Sequence, residues 1–282
     1  MLIIPIFKLI LIMSVPDKKI IKKRGNKMEE FAKYILNEDD LVSKIEIIYF
    51  LAPKLGINFD KTIVFKTEIT RQFLKYTKAK VDHNLVLTAA LLCNCKKVDD
   101  AQKIGKLKTY AKEGAEHLAT LGFDERFCRI CEGVNRYSGV TPREPESDII
   151  ELIDSFGGML IDRPERIAFN PDEAMVLIEH RNLKNEYNRY LEIFKDFVEA
   201  MEHVEIHGAV RTTVFARLQK LMRESRTITD FAKKIILEYS PEVDEKLEEL
   251  EGIEIKPKEK ATRPLFSAES QEKILNHINE EE

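Results

Sequence analysis

The sequence predicts an all-α protein. Apolar residues recur at helical spacing along nearly the whole chain after Met28, and no convincing alternation typical of a half-buried strand is present. The 282 residues include no Trp and only 11 Gly, a composition that favours helix over sheet. We therefore expect a multi-helix core with additional helices at both ends of the chain.

The first predicted helices lie in residues 28–59. Leu41, Ile45 and Ile48 share one helical face, Asp39 or Asp40 can accept the unpaired amides at the start, and Gly56 permits the end. A helix opened by Asp60 carries Ile69, Phe73 and Tyr76 on one face, and a later helix is predicted to start at Asn170. The remaining predicted helices cover residues 83–95, 109–121, 124–137, 148–160, 184–203, about 210–224 and 228–239.

The two ends of the chain differ from its middle. Residues 1–15 are almost wholly apolar, and residues 1–27 hold seven Lys or Arg against one Asp. The apolar run is shorter than the roughly 20 residues that span a bilayer, and its basic part follows it, the reverse of a secretory signal. Three interpretations stay open: translation starts at Met28, residues 1–27 form an interfacial membrane anchor, or they form a poor export or transmembrane signal.

Residues 241–282 are acidic, with thirteen Asp or Glu against six Lys or Arg. A solvated helix, a linker and a short terminal helix near 271–279 are predicted there. Because the charge of residues 28–282 is negative, non-specific binding to nucleic acid is not expected. Four Cys in a chain of this length, without a secretory pattern, indicate reduced thiols and a cytoplasmic protein.

Two segments carry a resemblance to a known family. Residues 91–97 read LLCNCKK, and residues 154–166 read DSFGGMLIDRPER. In this order they resemble the HD domain of metal-dependent phosphohydrolases, and more narrowly its HD-GYP branch, over residues 60–201. The resemblance implies a helical domain in which His and Asp side chains hold two or more transition-metal ions, which generate hydroxide and bind the phosphate oxygens.

Most ligand positions implied by this resemblance hold other residues. The His-Asp pair is replaced by Cys93 and Asn94, and Asp154 is the one ligand that survives, together with the pair motif's Lys97. The replaced positions are Phe65, Cys93, Asn94, Tyr110 (or Ala111 at an offset of one), Gly133 and Val134. One carboxylate does not hold a dinuclear centre, so we expect no catalytic residues and no metal cofactor.

The surviving charged residues suggest a binding site of another kind. As the resemblance implies, Lys97, Asp154, Arg163 and Arg166 could together bind an anion or nucleotide without cleaving it. The structural alternative is that Asp154 caps a helix or pairs with an Arg, and that residues 162–164 form a turn.

The four cysteines are the remaining candidate metal or redox site. Cys93, Cys95, Cys128 and Cys131 form two close pairs that could hold zinc or an iron–sulfur cluster. Within a helix, however, Cys93 and Cys95 would point about 200° apart, and Cys131 shares the face expected to be buried. We therefore predict that all four are core residues.

The predicted domains are an N-terminal extension (1–27), N-terminal helices (28–59), a degenerate HD-GYP-like domain (60–201), C-terminal helices (202–240) and an acidic tail (241–282). The expected function is that of a non-catalytic signalling or scaffold module, acting on an unidentified protein partner or holding a nucleotide. Membrane contact is expected only if residues 1–27 are present. The alternatives are an active phosphohydrolase with relocated ligands for iron, manganese or zinc, and a thiol-based metal or redox sensor.

Overall fold

The computed structural model describes residues 31–97, 109–135, 138–163, 166–182, 188–206 and 212–250. The predicted all-α class is confirmed, since helix dominates these residues and strand is almost absent from them. The predictions for residues 1–30 and for the tail beyond Leu250 lie outside the described part. Within the described ranges, no helix combines the length and the apolar character that crossing a membrane requires.

The described residues form the following helices in chain order. They are α1 (residues 31–37), α2 (Leu41–Leu55), α3 (Lys61–Thr77), α4 (His83–Leu92), α5 (Tyr110–Thr120), α6 (Glu125–Gly133), α7 (Pro145–Met159), α8 (Pro171–Asn182), α9 (Leu191–His203), α10 (Val214–Glu224), α11 (Ile228–Lys234), a π-helical turn (Ile235–Tyr239) and α12 (Ser240–Glu249). Between α9 and α10, β1 (Glu205–Ile206) pairs antiparallel with β2 (Thr212–Thr213). The sequence did not predict this pair, whose two-residue strands are too short to show an alternating pattern.

Local side-chain chemistry sets the helix starts. Asp40, rather than Asp39, accepts the Ser43 amide at 2.8 Å and caps α2, and Asp60 caps α3 as predicted. Gly56 ends α2 in the left-handed region at φ +63°, where a residue without Cβ is favoured. At the start of α8, Asn170 and Glu173 each accept the other's backbone amide, which is a capping box.

The predicted helix 83–95 is three residues too long. The helix α4 ends at Leu92, and residues 93–96 form a turn in which the Cys95 amide donates to the Leu92 carbonyl. The Asn58 backbone amide donates to the Cys95 carbonyl at 2.8 Å, and the Asn58 side chain donates to the Lys97 carbonyl at 2.8 Å. These long-range bonds compete with continuation of the helix, and local apolar periodicity does not show them.

The central helix of the core is α3, which packs against α4, α7, α9 and α10 as well as the C-terminal helices. Phe73, on the predicted buried face, meets Phe194 and Phe197 of α9 at ring-centroid distances of 5.2 and 5.3 Å. Phe156 of α7 and Phe215 of α10 continue this aromatic cluster. Edge-to-face packing of this kind adds to the burial of apolar area and holds the helices at fixed spacing.

The C-terminal helices pack on the same core through α3. Glu68 of α3 is 1% exposed, and its Oε1 accepts hydrogen bonds from Gln72 and Ser240, both at 3.0 Å. Arg71 binds both oxygens of Glu68, and the Tyr239 hydroxyl accepts a bond from Gln72. Because its oxygens are engaged by protein donors, the buried Glu68 carboxylate is tolerated. This network attaches the π-helical turn and α12 to α3.

Candidate functional site

Asp154 of α7 is the centre of a compact group of charged side chains. Its Oδ1 accepts hydrogen bonds from the Lys66 ammonium at 2.6 Å and from the Asn94 amide at 2.7 Å. Its Oδ2 accepts from the Lys97 ammonium at 3.1 Å. The Asp154 side chain is 11% exposed, and those of Lys66 and Lys97 are 11% and 19% exposed.

Three elements bring these side chains together. Asp154 lies in the middle of α7, Lys66 lies on the facing side of α3, and Asn94 and Lys97 lie on the turn after α4. The hydrogen bonds of Asn58 fix that turn. The placement of Asn94 and Lys97 therefore depends on the early end of α4.

Gly157 allows the Lys66 side chain to reach Asp154. A Cβ added to Gly157 would lie 2.7 Å from Lys66 Cγ, closer than real Cβ atoms approach a neighbour. The lysine stem therefore crosses α7 over the bare backbone of Gly157, one turn beyond Asp154. This close approach is a specific reason for glycine in the interior of α7, where it otherwise disfavours helix.

The electrostatics of the group are dominated by the two ammonium ions. Burial alone would raise the pKa of Asp154, but the charges of Lys66 and Lys97 and the hydrogen bonds from Lys66 and Asn94 outweigh it, so the pKa lies well below its usual range. Asp154 is thus a carboxylate at neutral pH, and the three charged groups together carry one excess positive charge. Asn94 Oδ1 is buried and has no hydrogen-bond partner among the described residues.

Tyr110 and Cys93 are buried beside this group. The Lys97 ammonium lies 5.1 Å from the centroid of the Tyr110 ring, a cation–π contact. Burial, and then the negative charge of Asp154, raises the pKa of Tyr110 well above its ordinary value. The same two causes raise the pKa of the Cys93 thiol to about 12. Both side chains are therefore protonated at neutral pH.

The predicted ligand positions divide into two sets. Cys93, Asn94 and Tyr110 do lie around Asp154, whereas Phe65 and Val134 are buried in the hydrophobic core. Gly133 lies against Ser147, whose Oγ would be 2.7 Å from a Cβ at this position. The residue that the sequence analysis missed is Lys66, next to Phe65. The available signal in the sequence was a lysine that directly follows three consecutive apolar residues.

Arg163 and Arg166 do not contact Asp154, whose described partners are Lys66, Asn94 and Lys97. The Arg166 guanidinium donates to the carbonyls of Gly158 and Met159, at 3.0 Å each, and covers the Phe169 ring. It therefore closes the carboxyl end of α7. Arg163 pairs with Arg166 through backbone hydrogen bonds and directs its guanidinium toward Gly158.

The four thiols are all reduced and buried. Because residues 93–96 form a turn and not a helix, Cys93 and Cys95 can both face the core, contrary to the 200° separation expected of a helix. Burial is the first cause that raises the pKa of each thiol, to about 12 for Cys95 and about 11 for Cys128, and well above 9.0 for Cys131. Such thiols are poor nucleophiles and poor metal ligands.

The donor set around Asp154 does not fit a transition-metal centre. Its one carboxylate is held by two ammonium groups, which would repel a metal cation at the same oxygens. Among the described residues there is also no group of three or more His, Cys, Asp or Glu side chains that could hold a metal ion. Lys66, Lys97 and Asp154 instead form a fixed, partly exposed ion cluster with an excess positive charge. No family model, curated protein or solved structure matches the chain.

Proposed function

We propose that this chain is a non-catalytic signalling or scaffold module related to the HD-GYP phosphohydrolases, which acts through a protein partner or by holding a nucleotide. The observation that carries the proposal is the occupation of Asp154 by Lys66 and Lys97. In the related enzymes the carboxylate at this position serves a metal ion. Here two tethered ammonium ions and the Asn94 amide use its oxygens.

The charge balance further supports a loss of catalysis. Metal-assisted hydrolysis requires a bound ion that lowers the pKa of water and contacts the phosphate oxygens. The ammonium ions of Lys66 and Lys97 supply positive charge but no open coordination position. They can attract a phosphate group of a nucleotide, since lysine binds phosphate as a point charge.

The test is metal analysis of protein purified without chelator, combined with an assay of phosphodiester hydrolysis on bis(p-nitrophenyl) phosphate. We expect iron, manganese and zinc well below stoichiometric amounts and no turnover that depends on Asp154. Near-stoichiometric metal, together with hydrolysis abolished by Asp154→Ala, would instead support the phosphohydrolase with relocated ligands. Bound metal that falls in both Cys93→Ser and Cys131→Ser would favour the thiol site.

The nucleotide form of the proposal has its own test. Lys97→Met removes the more exposed ammonium of the group and should weaken binding of a nucleotide panel at least tenfold in calorimetry. Lys96→Met is the matched control, because Lys96 is adjacent but donates to the Gly56 carbonyl and not to Asp154. If both variants and the original chain bind nucleotides with equal affinity, the nucleotide form of the proposal is wrong and only the scaffold form remains.

A further inference from the structure

Lys44 is a buried lysine of α2 that takes no part in the Asp154 group. It is 1% exposed, and its ammonium donates to the Ile35 carbonyl at 2.8 Å and to the Thr88 hydroxyl oxygen. The Thr88 hydroxyl donates its own proton to the Asn84 carbonyl at 2.8 Å, so it acts toward Lys44 as an acceptor. Lys44 therefore joins α2 to the carboxyl end of α1 and to α4.

The acceptors around Lys44 match a neutral amine better than an ammonium ion. An ammonium has three N–H groups, and the described residues accept hydrogen bonds from two of them, at Ile35 and Thr88. Both acceptors are uncharged, and no carboxylate in the described part of the chain accepts a bond from this nitrogen. A buried ammonium without a directly paired carboxylate is unfavourable, whereas an amine satisfies both acceptors with its two N–H groups.

The charged groups that act on Lys44 come from the segments that precede α2 and α4. These groups are Glu38, Asp39 and Asp82, and their negative charges favour the ammonium. Burial outweighs them and lowers the pKa of Lys44 to about 8. On α1, burial and then the charge of Glu38 raise the pKa of Tyr34 above its ordinary value of 10.0. Tyr34 therefore stays protonated over the range in which Lys44 titrates.

Helix α1 is the element whose movement can uncover Lys44. The Phe31 ring packs edge-on against Phe123 at a centroid distance of 6.0 Å, and the Asn84 amide donates to the Leu36 carbonyl at 2.8 Å. Single helices held by contacts of this kind can open locally while the rest of the fold stays intact. Because α1 supplies one of the two described acceptors of Lys44, its departure admits water to the ammonium.

We propose that Lys44 makes the docking of α1 a proton-dependent equilibrium, in which a proton bound at Lys44 Nζ favours opened α1 and release of that proton to solvent favours docked α1. The sign follows from solvation, because only the opened state exposes the ammonium to water. Docking therefore strengthens as the pH rises from about 8 toward the ordinary lysine value of 10.5. This inference is independent of the proposed function, because Lys44, Ile35 and Thr88 lie outside the Asp154 group.

The test is hydrogen exchange of the full chain at pH 7.5 to 9.5, read by mass spectrometry on peptides that cover α1. After correction for the intrinsic exchange rate, we expect the protection of α1 to rise at least about tenfold over this range. Peptides from α3 report global stability. In Lys44→Met, which has no proton to lose, the protection of α1 should not change with pH. Lys54→Met is the matched control, because Lys54 lies on the same helix but is exposed, and it should behave as the original chain.

Two outcomes would overturn the proposal. The first is α1 protection that stays constant, relative to α3, from pH 7.5 to pH 9.5 in the original chain. The second is an equal rise in Lys44→Met, which would assign the pH dependence to another group. If Lys44→Met also loses the protection of α3, Lys44→Gln takes its place, since it is neutral but keeps two N–H donors, and the same two outcomes decide.

Discussion

At the scale of single residues, the most informative contact is between Asp154 and the Lys66 ammonium at 2.6 Å. Both side chains are nearly buried, so each depends on the other for compensation of its charge. Lys97 and Asn94 complete the environment of the carboxylate. If one of these four side chains is removed, the charges and hydrogen-bonding groups of the other three are no longer fully compensated.

Asp154→Asn should lower the free energy of unfolding by about 3–5 kcal/mol, because it preserves shape but leaves two ammonium ions with no counter-ion. The urea midpoint measures the loss. Combining the change with Lys66→Met should recover part of it, since one of the two uncompensated charges is then absent. Glu224→Gln, in an exposed pair with Lys220 at 3.8 Å, is the control and should change stability by less than about 0.5 kcal/mol.

Gly157→Ala tests the passage of the Lys66 stem over α7. The added Cβ would meet Lys66 Cγ at 2.7 Å, so we expect a loss of about 1–3 kcal/mol from overpacking, despite the better helix propensity of alanine. Gly114→Ala is the matched change within α5, where the nearest atom is Cys95 Sγ at 3.4 Å. Thermal unfolding that ranks the two variants in the opposite order would contradict this account.

At the scale of elements, α3 connects the Asp154 group to the C-terminal helices. One part of the helix directs Lys66 toward α7, and another directs Glu68 and Arg71 toward α12. Its start is capped by Asp60, which accepts the amides of Thr62 and Ile63. Fraying of α3 would therefore disturb the Asp154 group and the packing of α12 together.

Asp60→Ala should destabilise the protein by about 1 kcal/mol, within the range of about 0.5–2 kcal/mol measured for lost caps. Asp60→Asn keeps an acceptor oxygen at the same place and should retain most of the stability. Urea unfolding of the two variants separates loss of the cap from loss of the negative charge. Equal destabilisation by both would assign the effect to charge.

At the scale of the whole molecule, the core contains four thiols that remain protonated when folded and would ionise more readily when unfolded. Their folded pKa values lie above the ordinary value of 9.0, first of all because of burial. Lys44 has the opposite property. It is 1% exposed, and burial lowers its pKa to about 8 despite the nearby charges of Asp39, Glu38 and Asp82.

The thiols predict a loss of stability in alkali. Since the folded pKa values are raised, this stabilising contribution is complete below pH 9, and for Cys93, Cys95 and Cys128 it is lost as the pH rises through about 11 to 12. Each thiol lowers the free energy of unfolding by about 1.4 kcal/mol per pH unit within its window. Urea unfolding at pH 8, 9 and 10 should show a steepening fall.

The Lys44 side chain opposes this trend between about pH 8 and its ordinary value of 10.5, because the unfolded chain there binds the extra proton. Lys44→Met should therefore steepen the alkaline fall. Stability that stays constant from pH 8 to pH 10 in both proteins would contradict the assignment of the four thiols to the core.

The sequence by itself determined the helical class and several of the helix caps, because these follow from local periodicity and capping chemistry. It did not determine the partners of Asp154. The tertiary structure ended α4 at Leu92 through hydrogen bonds from Asn58, and it carried Lys66 over Gly157. The physical reason is that both features depend on contacts between residues distant in the chain, whereas helix periodicity and caps are set by neighbours within a few residues. Arg166, which the family resemblance grouped with Asp154, donates to the carbonyls of Gly158 and Met159 at the end of α7, a contact that the sequence did not show.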